Sequence, residues 1–176
     1  MDAVNLGERY DLPLLEWPSI ENRLERGMTQ APGTGGPSRH TCWLATVNPD
    51  GSPHVTGVGG LWLNGAFWFQ TGEATRKGRN LARDARCSLS VATDEFDLVI
   101  DGEAHKITDP QVVADLAARW AADGWPARVD GSGQALTADY SAPSAGPPPW
   151  FVHRLTPHTA TALGVVAPFG ATQWRF

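Results

Sequence analysis

Between residues 41 and 107 apolar and polar positions alternate in short runs bounded by turn residues, the pattern of half-buried strands. Thr41 to Val47 reads as a first strand, closed by Asn48-Pro49-Asp50-Gly51, a turn with proline at its second position and glycine supplying a positive φ. His54 to Leu63 is a second strand, Asn64-Gly65 a two-residue hairpin signal, and Ala66 to Thr71 a third, so a three-strand meander is expected. Arg86 to Ala92 and Phe96 to Ile107 follow, with Asp101-Gly102 marking a bulge or a close approach of backbone. Trp150 to Val166 is a last long strand and Thr172 to Phe176 a short terminal one.

A helical period interrupts this pattern three times. Ser19 is expected to cap a short helix over about residues 19–27, with Ile20, Leu24 and Met28 on one side and Gly27 at its end. Thr75 opens a second helix over about 75–84. Asp109-Pro110 opens a third, in which Val113, Leu116, Ala117 and Trp120 share a face until Asp123-Gly124 stops it. Residues 1–18, with Pro13 and Pro18, read as an extended arm that can pack Leu12, Leu14, Leu15 and Trp17; residues 31–40 are a Gly/Pro connector, and 124–149 a long Pro/Gly/Ser-rich loop expected to border the site. The organisation expected is an N-terminal arm, helix and linker over 1–40, then one domain over 41–176. Many hairpin-linked strands with few helices between them argue a mainly β fold, an antiparallel sheet closed into a barrel.

At 176 residues the chain can bury a core without staples. Its net charge of −5 argues against a nucleic-acid partner and makes any cluster of cations conspicuous. Cys42 and Cys87 lie in apolar strand runs and read as buried free thiols. No signal peptide and no run approaching ~20 apolar residues is present, so a cytoplasmic protein without a membrane partner is expected. Eight tryptophans, several beside Pro or Gly, suit a ligand cleft or an interface as well as a core. Trp62 and Trp68 flank the Asn64-Gly65 turn and read as cross-strand packing.

The chemistry concentrates in Thr71-Gly72-Glu73-Ala74-Thr75-Arg76-Lys77-Gly78-Arg79-Asn80-Leu81, which sets three cations at the mouth of a helix that follows a strand. Thr75 as N-cap, the uncapped N–H groups and the positive end of the dipole make a socket for a phosphate, and Arg76, Lys77 and Arg79 add charge-assisted donors. The competing reading is a solvated basic face, since Arg76, Arg79 and Arg83 share one side of the helix. No nucleophile motif appears, and His40, His54, His105, His153 and His158 include no i, i+4 helical pair, so no metal is expected.

The chain resembles the pyridoxamine 5′-phosphate oxidase-like split barrels, which bind flavin or deazaflavin coenzymes. The resemblance covers about residues 40–166 and is carried by Leu44-Ala45-Thr46-Val47-Asn48-Pro49-Asp50-Gly51-Ser52-Pro53-His54-Val55, by Arg76-Lys77-Gly78-Arg79-Asn80-Leu81-Ala82-Arg83-Asp84, and by Gly102-Glu103-Ala104. It implies an antiparallel split β-barrel with the coenzyme ring beside His54, Val55, Thr56 and Gly57. It also puts Gln70 and Thr71 at the ring or ribityl chain, Arg76 and Lys77 on the phosphate, and Arg79 and Asn80 nearby. It implies a homodimer with coenzyme sites at the interface, where Trp150, His153 and Arg154 reach the partner's coenzyme. The ending Gly170-Ala171-Thr172-Gln173-Trp174-Arg175-Phe176 lacks the basic pattern of the B6 oxidases and looks more like the actinobacterial deazaflavin-dependent subgroup. The activity implied is hydride transfer between coenzyme F-420 or FMN and a small organic substrate, with no catalytic side chain named. The alternatives are a haem- or flavin-binding carrier without turnover, and FMN-dependent pyridoxamine phosphate oxidation.

Overall fold

The computed structural model describes residues 1–28 and 41–176, so the expected connector over 31–40 and His40 lie outside the described residues. The strands, in chain order, are β1 (Asp2–Asn5), β2 (Cys42–Val47), β3 (Pro53–Val58), β4 (Gly60–Leu63), β5 (Ala66–Thr71), β6 (Arg86–Ala92), β7 (Phe96–Ile107), β8 (Arg128–Val129), β9 (Leu136–Thr137), β10 (Phe151–Gly164) and β11 (Ala171–Arg175). The helices are α1 (Trp17–Glu25), α2 (Arg76–Arg83) and α3 (Pro110–Ala122). All strand pairs are antiparallel.

The main sheet runs β4-β5-β10-β7-β6-β2-β3, and β10 continues past β5 to pair with β11, which in turn holds β1. The fold is the mainly β split barrel expected. Its sheet is not closed by hydrogen bonds, because the two ends of the path, β3 and β4, are successive pieces of one run separated by Gly59. The expected second strand is therefore two strands: its first half pairs with β2 and its second with β5. This replaces the meander with a corner, and the corner is what splits the barrel.

The interior is packed by alternate residues of these strands. Leu44, Phe67, Phe69, Leu89, Ile100 and Leu155 are fully buried in one cluster, each contributing roughly 1.5–3 kcal/mol by leaving water. Trp17, Ile20 and Leu24 of the N-terminal segment join this cluster, and Trp17 meets Trp62, Trp174 and Phe176 edge-on. β5 is buried on both faces because its other side, with Trp68, lies under α3 in a second cluster. Trp62 and Trp68 do serve as cross-strand packing, each on its own partner rather than on one another. Their partners across the turn are Phe67 and Leu61, and their side chains enter different clusters.

Local signals account for most boundaries. Asn64 and Gly65 both take positive φ (52° and 69°), as a two-residue hairpin that follows the strand twist requires. Asp109 caps α3 by accepting from the N–H groups of Gln111 and Val112, and Val113, Leu116, Ala117 and Trp120 are its buried face. Ser19 does not cap α1. That helix starts two residues earlier, from Glu16, with Pro18 in its first turn, where a missing N–H costs nothing. Residues 124–149 are not featureless. They form the β8–β9 hairpin and a short 3-10 turn, Pro143–Ala145, and bury Trp125, Ala127, Leu136 and Ala145 in the second cluster. No helix among the described residues is long and apolar enough to cross a membrane.

Candidate functional site

α2 begins where β5 ends, and three threonine and glycine contacts fix the turn between them. Thr75 Oγ1 accepts from the Gly78 N–H at 3.1 Å and donates its own hydrogen to the Gly72 oxygen at 2.7 Å. Thr71, whose Oγ1 lies 2.9 Å from Thr75 Oγ1, must then be the donor in that pair. Gly78 has to be glycine here: a Cβ on it would stand 2.5 Å from the Gly72 oxygen.

The cations of α2 separate. Arg79 and Arg83 donate to the main-chain oxygens of Ala74 and Val47. Arg76 is exposed and makes no hydrogen bond or ion pair among the described residues. Lys77 is only 2 % exposed, and its Nζ donates to the Ser144 oxygen. Burial pulls its pKa down to about 8, since an ammonium loses hydration there with no carboxylate to replace it. Arg79 and Arg83 are thus spent on main-chain oxygens, while Arg76 and Lys77 keep donors to spare.

Ser144 ties this group to β3, because its Oγ donates to the Gly57 oxygen at 2.9 Å. Asn80 ties α2 to β2, donating to Thr46 Oγ1 at 3.0 Å and to Asn48 Oδ1 at 3.1 Å. Thr46 pairs across the ladder with His54. His54 is half-buried, and partial burial together with the charges of Arg76 and Lys77 lowers its pKa, so its imidazole is held neutral. His54, Gly57, Arg76, Lys77 and Asn80 are therefore brought together, with Thr71 beneath the helix cap. Val55 is exposed and alternates to the opposite face from His54 and Thr56.

Gln70 is buried beside a separate cavity bounded by Gly60, Leu61 and Trp120. Trp150 is buried within the chain. It is packed in the second cluster, 5.7 Å from the Trp125 ring, and its Nε1 donates to the Gly146 oxygen. His153 stacks on Phe69 at 5.4 Å and hydrogen-bonds to the Phe151 oxygen, and Arg154 lies 5.7 Å from the Trp68 ring; neither contacts the Lys77 group within the chain. Thr46, Ser144 and the 144–147 backbone are parts of the site that the sequence reading missed. Only contacts across the fold reveal them, such as the bond from the Gly72 N–H to the Ala145 oxygen.

A family model described as pyridoxamine 5′-phosphate oxidase matches residues 36–162, well over half of the chain. The chain belongs to that family. Solved structures of the same architecture support the fold assignment of this pyridoxamine 5′-phosphate oxidase family member. An FMN binding protein related to pyridoxamine 5′-phosphate oxidase from Nostoc punctiforme is 16% identical with a TM-score of 0.58, over 93% of this chain and 93% of that one. General Stress Protein 26 from Bacillus anthracis is 12% identical with a TM-score of 0.56, over 84% and 94%. The conserved hypothetical protein Rv2991 from Mycobacterium tuberculosis is 20% identical with a TM-score of 0.56, over 86% of each. No curated protein matches the sequence significantly.

Proposed function

We propose that this family member is a flavin- or deazaflavin-dependent oxidoreductase that holds the ribityl phosphate of FMN or coenzyme F-420 at the N-terminus of α2. The observation that carries the proposal is the pair Arg76 and Lys77: one cation exposed without a partner, the other buried against a main-chain oxygen only, both at a helix start capped by Thr75. These residues fit a phosphate. Lys77 has three N–H donors and spends one on Ser144, and Arg76 has its whole guanidinium free. The Nostoc punctiforme relative, named as an FMN binding protein, supports the same reading.

The bound coenzyme would supply hydride chemistry at its ring. The chain's part is to bind and orient. Arg76 would hold the phosphate at the surface while Lys77 adds positive charge from beneath, and neutral His54 with Thr56 and Gly57 would line the ring side. A second copy of the chain would complete the site: Trp43, Val55 and Val99 stand 52%, 57% and 39% exposed on one face of β2, β3 and β7. Pyridoxamine phosphate oxidation is not favoured, because the C-terminal strand is spent on the core through Trp174.

Titration of wild type and the double variant Arg76→Ala/Lys77→Met with FMN and with coenzyme F-420 tests the proposal. Binding of either coenzyme by wild type, weakened about a hundredfold or more in the variant, is expected from the loss of two charge-assisted contacts. Equal affinity in a variant that keeps its circular dichroism spectrum would discard the socket.

A further inference from the structure

A cavity of about 220 Å³, separate from the one beside Gln70, opens where α2 faces β7 and β10. The buried Gly78, Leu81, Ala104 and His153 line it, and the exposed Ala82 stands at its rim. Gly78 and Ala82 lie about half a turn round the helix from Asn80, so the cavity is on the side of α2 turned away from Thr46 and β2. His153 is 6% exposed and stacks flat on Phe69. Its Nδ1 lies 3.1 Å from the Phe151 oxygen, and because a carbonyl only accepts, Nδ1 carries the ring hydrogen. Nε2 is then a lone-pair acceptor. It has no hydrogen-bond partner among the described residues, and its neighbours do not seal it off.

We propose that this cavity is a binding site for a small neutral ring bearing one hydroxyl, a phenol or a cyclic alcohol, whose O–H donates to His153 Nε2. The site is distinct from the coenzyme socket and does not depend on it. An acceptor held in an apolar recess without a donor is costly, and a ligand hydroxyl relieves that cost. The size suits a single ring, since an apolar cavity of about 150 Å³ already takes up benzene. Anions are disfavoured on two grounds. A carboxylate has no hydrogen to give to Nε2. The cations around the cavity are already engaged, Lys106 with Glu73 at 2.7 Å, Arg79 with the Ala74 oxygen and His105 with Glu103 at 3.4 Å. Glu73, Arg79, His105 and Lys106 are all exposed, which leaves the recess itself apolar apart from His153. Burial lowers the pKa of that ring to about 4, so the acceptor persists at neutral pH.

Three probes of similar size test the site: phenol, toluene for apolar filling and benzoate for an anion, each titrated by ligand-observed NMR into wild type, His153→Phe and Ala82→Trp. Wild type is expected to bind phenol about tenfold or more tightly than either of the others, and phenol should move the His153 Nε2 nitrogen resonance. His153→Phe keeps a ring against Phe69 but offers no acceptor, so phenol and toluene should bind it alike. Ala82→Trp changes an exposed position and fills the recess, so phenol should be lost from a protein that keeps its circular dichroism spectrum. Equal affinity of wild type for phenol and toluene, benzoate bound as tightly as phenol, a phenol preference that survives in His153→Phe, phenol retained by Ala82→Trp, or no binding to wild type overturns the proposal. Should His153→Phe not fold, the wild-type resonance decides: phenol that saturates without moving it sits elsewhere, which also overturns the proposal. Arg76→Ala/Lys77→Met should bind phenol as wild type does, whatever becomes of its coenzyme affinity; loss of phenol there would place the probe in the socket and overturn the site.

Discussion

The ammonium of Lys77 donates to the main-chain oxygen of Ser144 and has no acidic partner among the described residues. Because Ser144 also donates to Gly57, this one residue of the long loop clamps α2 to β3. The clamp holds the loop over 124–149, expected from its Pro/Gly/Ser composition to border the site, against both α2 and β3.

Lys77 makes stability depend on pH in a definite direction. Its folded pKa of about 8 lies below the ordinary 10.5, so between those values the unfolded chain binds more protons, and stability rises with pH across that window. The full gain is at most about 3 kcal/mol. Thermal melts from pH 7.5 to 10.5 should show this rise in wild type, and Lys77→Met should flatten it and be the more stable protein at the lower end. An identical slope in both would assign the rise to other groups. A bound phosphate should reverse the preference by pairing with the ammonium, so coenzyme affinity is expected to fall as pH passes about 8.

His153 works at the acid end. Burial lowers its pKa from 6.5 to about 4, and the ring stays neutral, stacked on Phe69. Within that window protons go to the unfolded chain, so this residue's contribution is complete above about 6.5 and is lost as pH falls toward 4. His153→Phe keeps an aromatic ring against Phe69 and removes the titration. Urea midpoints between pH 7 and 4.5 are expected to drop less steeply in the variant, and parallel curves would show that His153 is not the group responsible.

Much of this was legible because the signals are local. Asn64-Gly65, the Asp109-Pro110 start of α3 and the Thr75 cap are each decided by neighbouring residues, and the structure has them where they were expected. The division at Gly59 was not legible, since β3 and β4 read as one continuous run and only their different partners separate them. The burial of Trp150 was not legible either: a tryptophan after Pro147-Pro148-Pro149 reads equally as ligand wall or core, and the contact with Trp125 that buries it comes from across the fold. Asn80 could be read as near the phosphate, but its link to Thr46 spans 34 residues and has no sequence signal.

The Thr75 hydroxyl serves three partners at once, capping the Gly78 N–H, receiving the Thr71 hydrogen and binding the Gly72 oxygen. Thr75→Ala is expected to cost about 1–2 kcal/mol, the usual range for a lost cap, and Thr75→Ser to restore most of it. Denaturant unfolding of the three proteins measures this directly. Coenzyme affinity should fall with the alanine and recover with the serine, since the cap holds the helix start that Arg76 and Lys77 flank. Recovery of stability without recovery of affinity would mean that the Thr75 methyl group, 2.9 Å from the position a Gly146 Cβ would take, sets the loop's place instead.

Gly102 supports the strongest prediction about the barrel itself. Opposite it β10 carries an extra residue: Pro157 pairs with Gly102, Thr159 pairs with Asp101, and His158 is left over. The two backbones approach so closely there that a Cβ on Gly102 would lie 2.0 Å from the Thr156 oxygen. Backbone cannot swing aside as a side-chain tip does, so an added methyl must part β7 from β10 at the bulge, and this is the longest ladder in the sheet. Gly102→Ala should therefore cost more than the roughly 1–3 kcal/mol of ordinary overpacking. Gly131→Ala, at a hairpin position with open space around it, is the matched control and should leave stability nearly unchanged. Hydrogen exchange of the Gly102→Ala protein should show lost protection along Asp101–Glu103 and Thr156–Thr159 first; a stable variant with intact protection would mean that the bulge opens without cost and is not what fixes the register of β10.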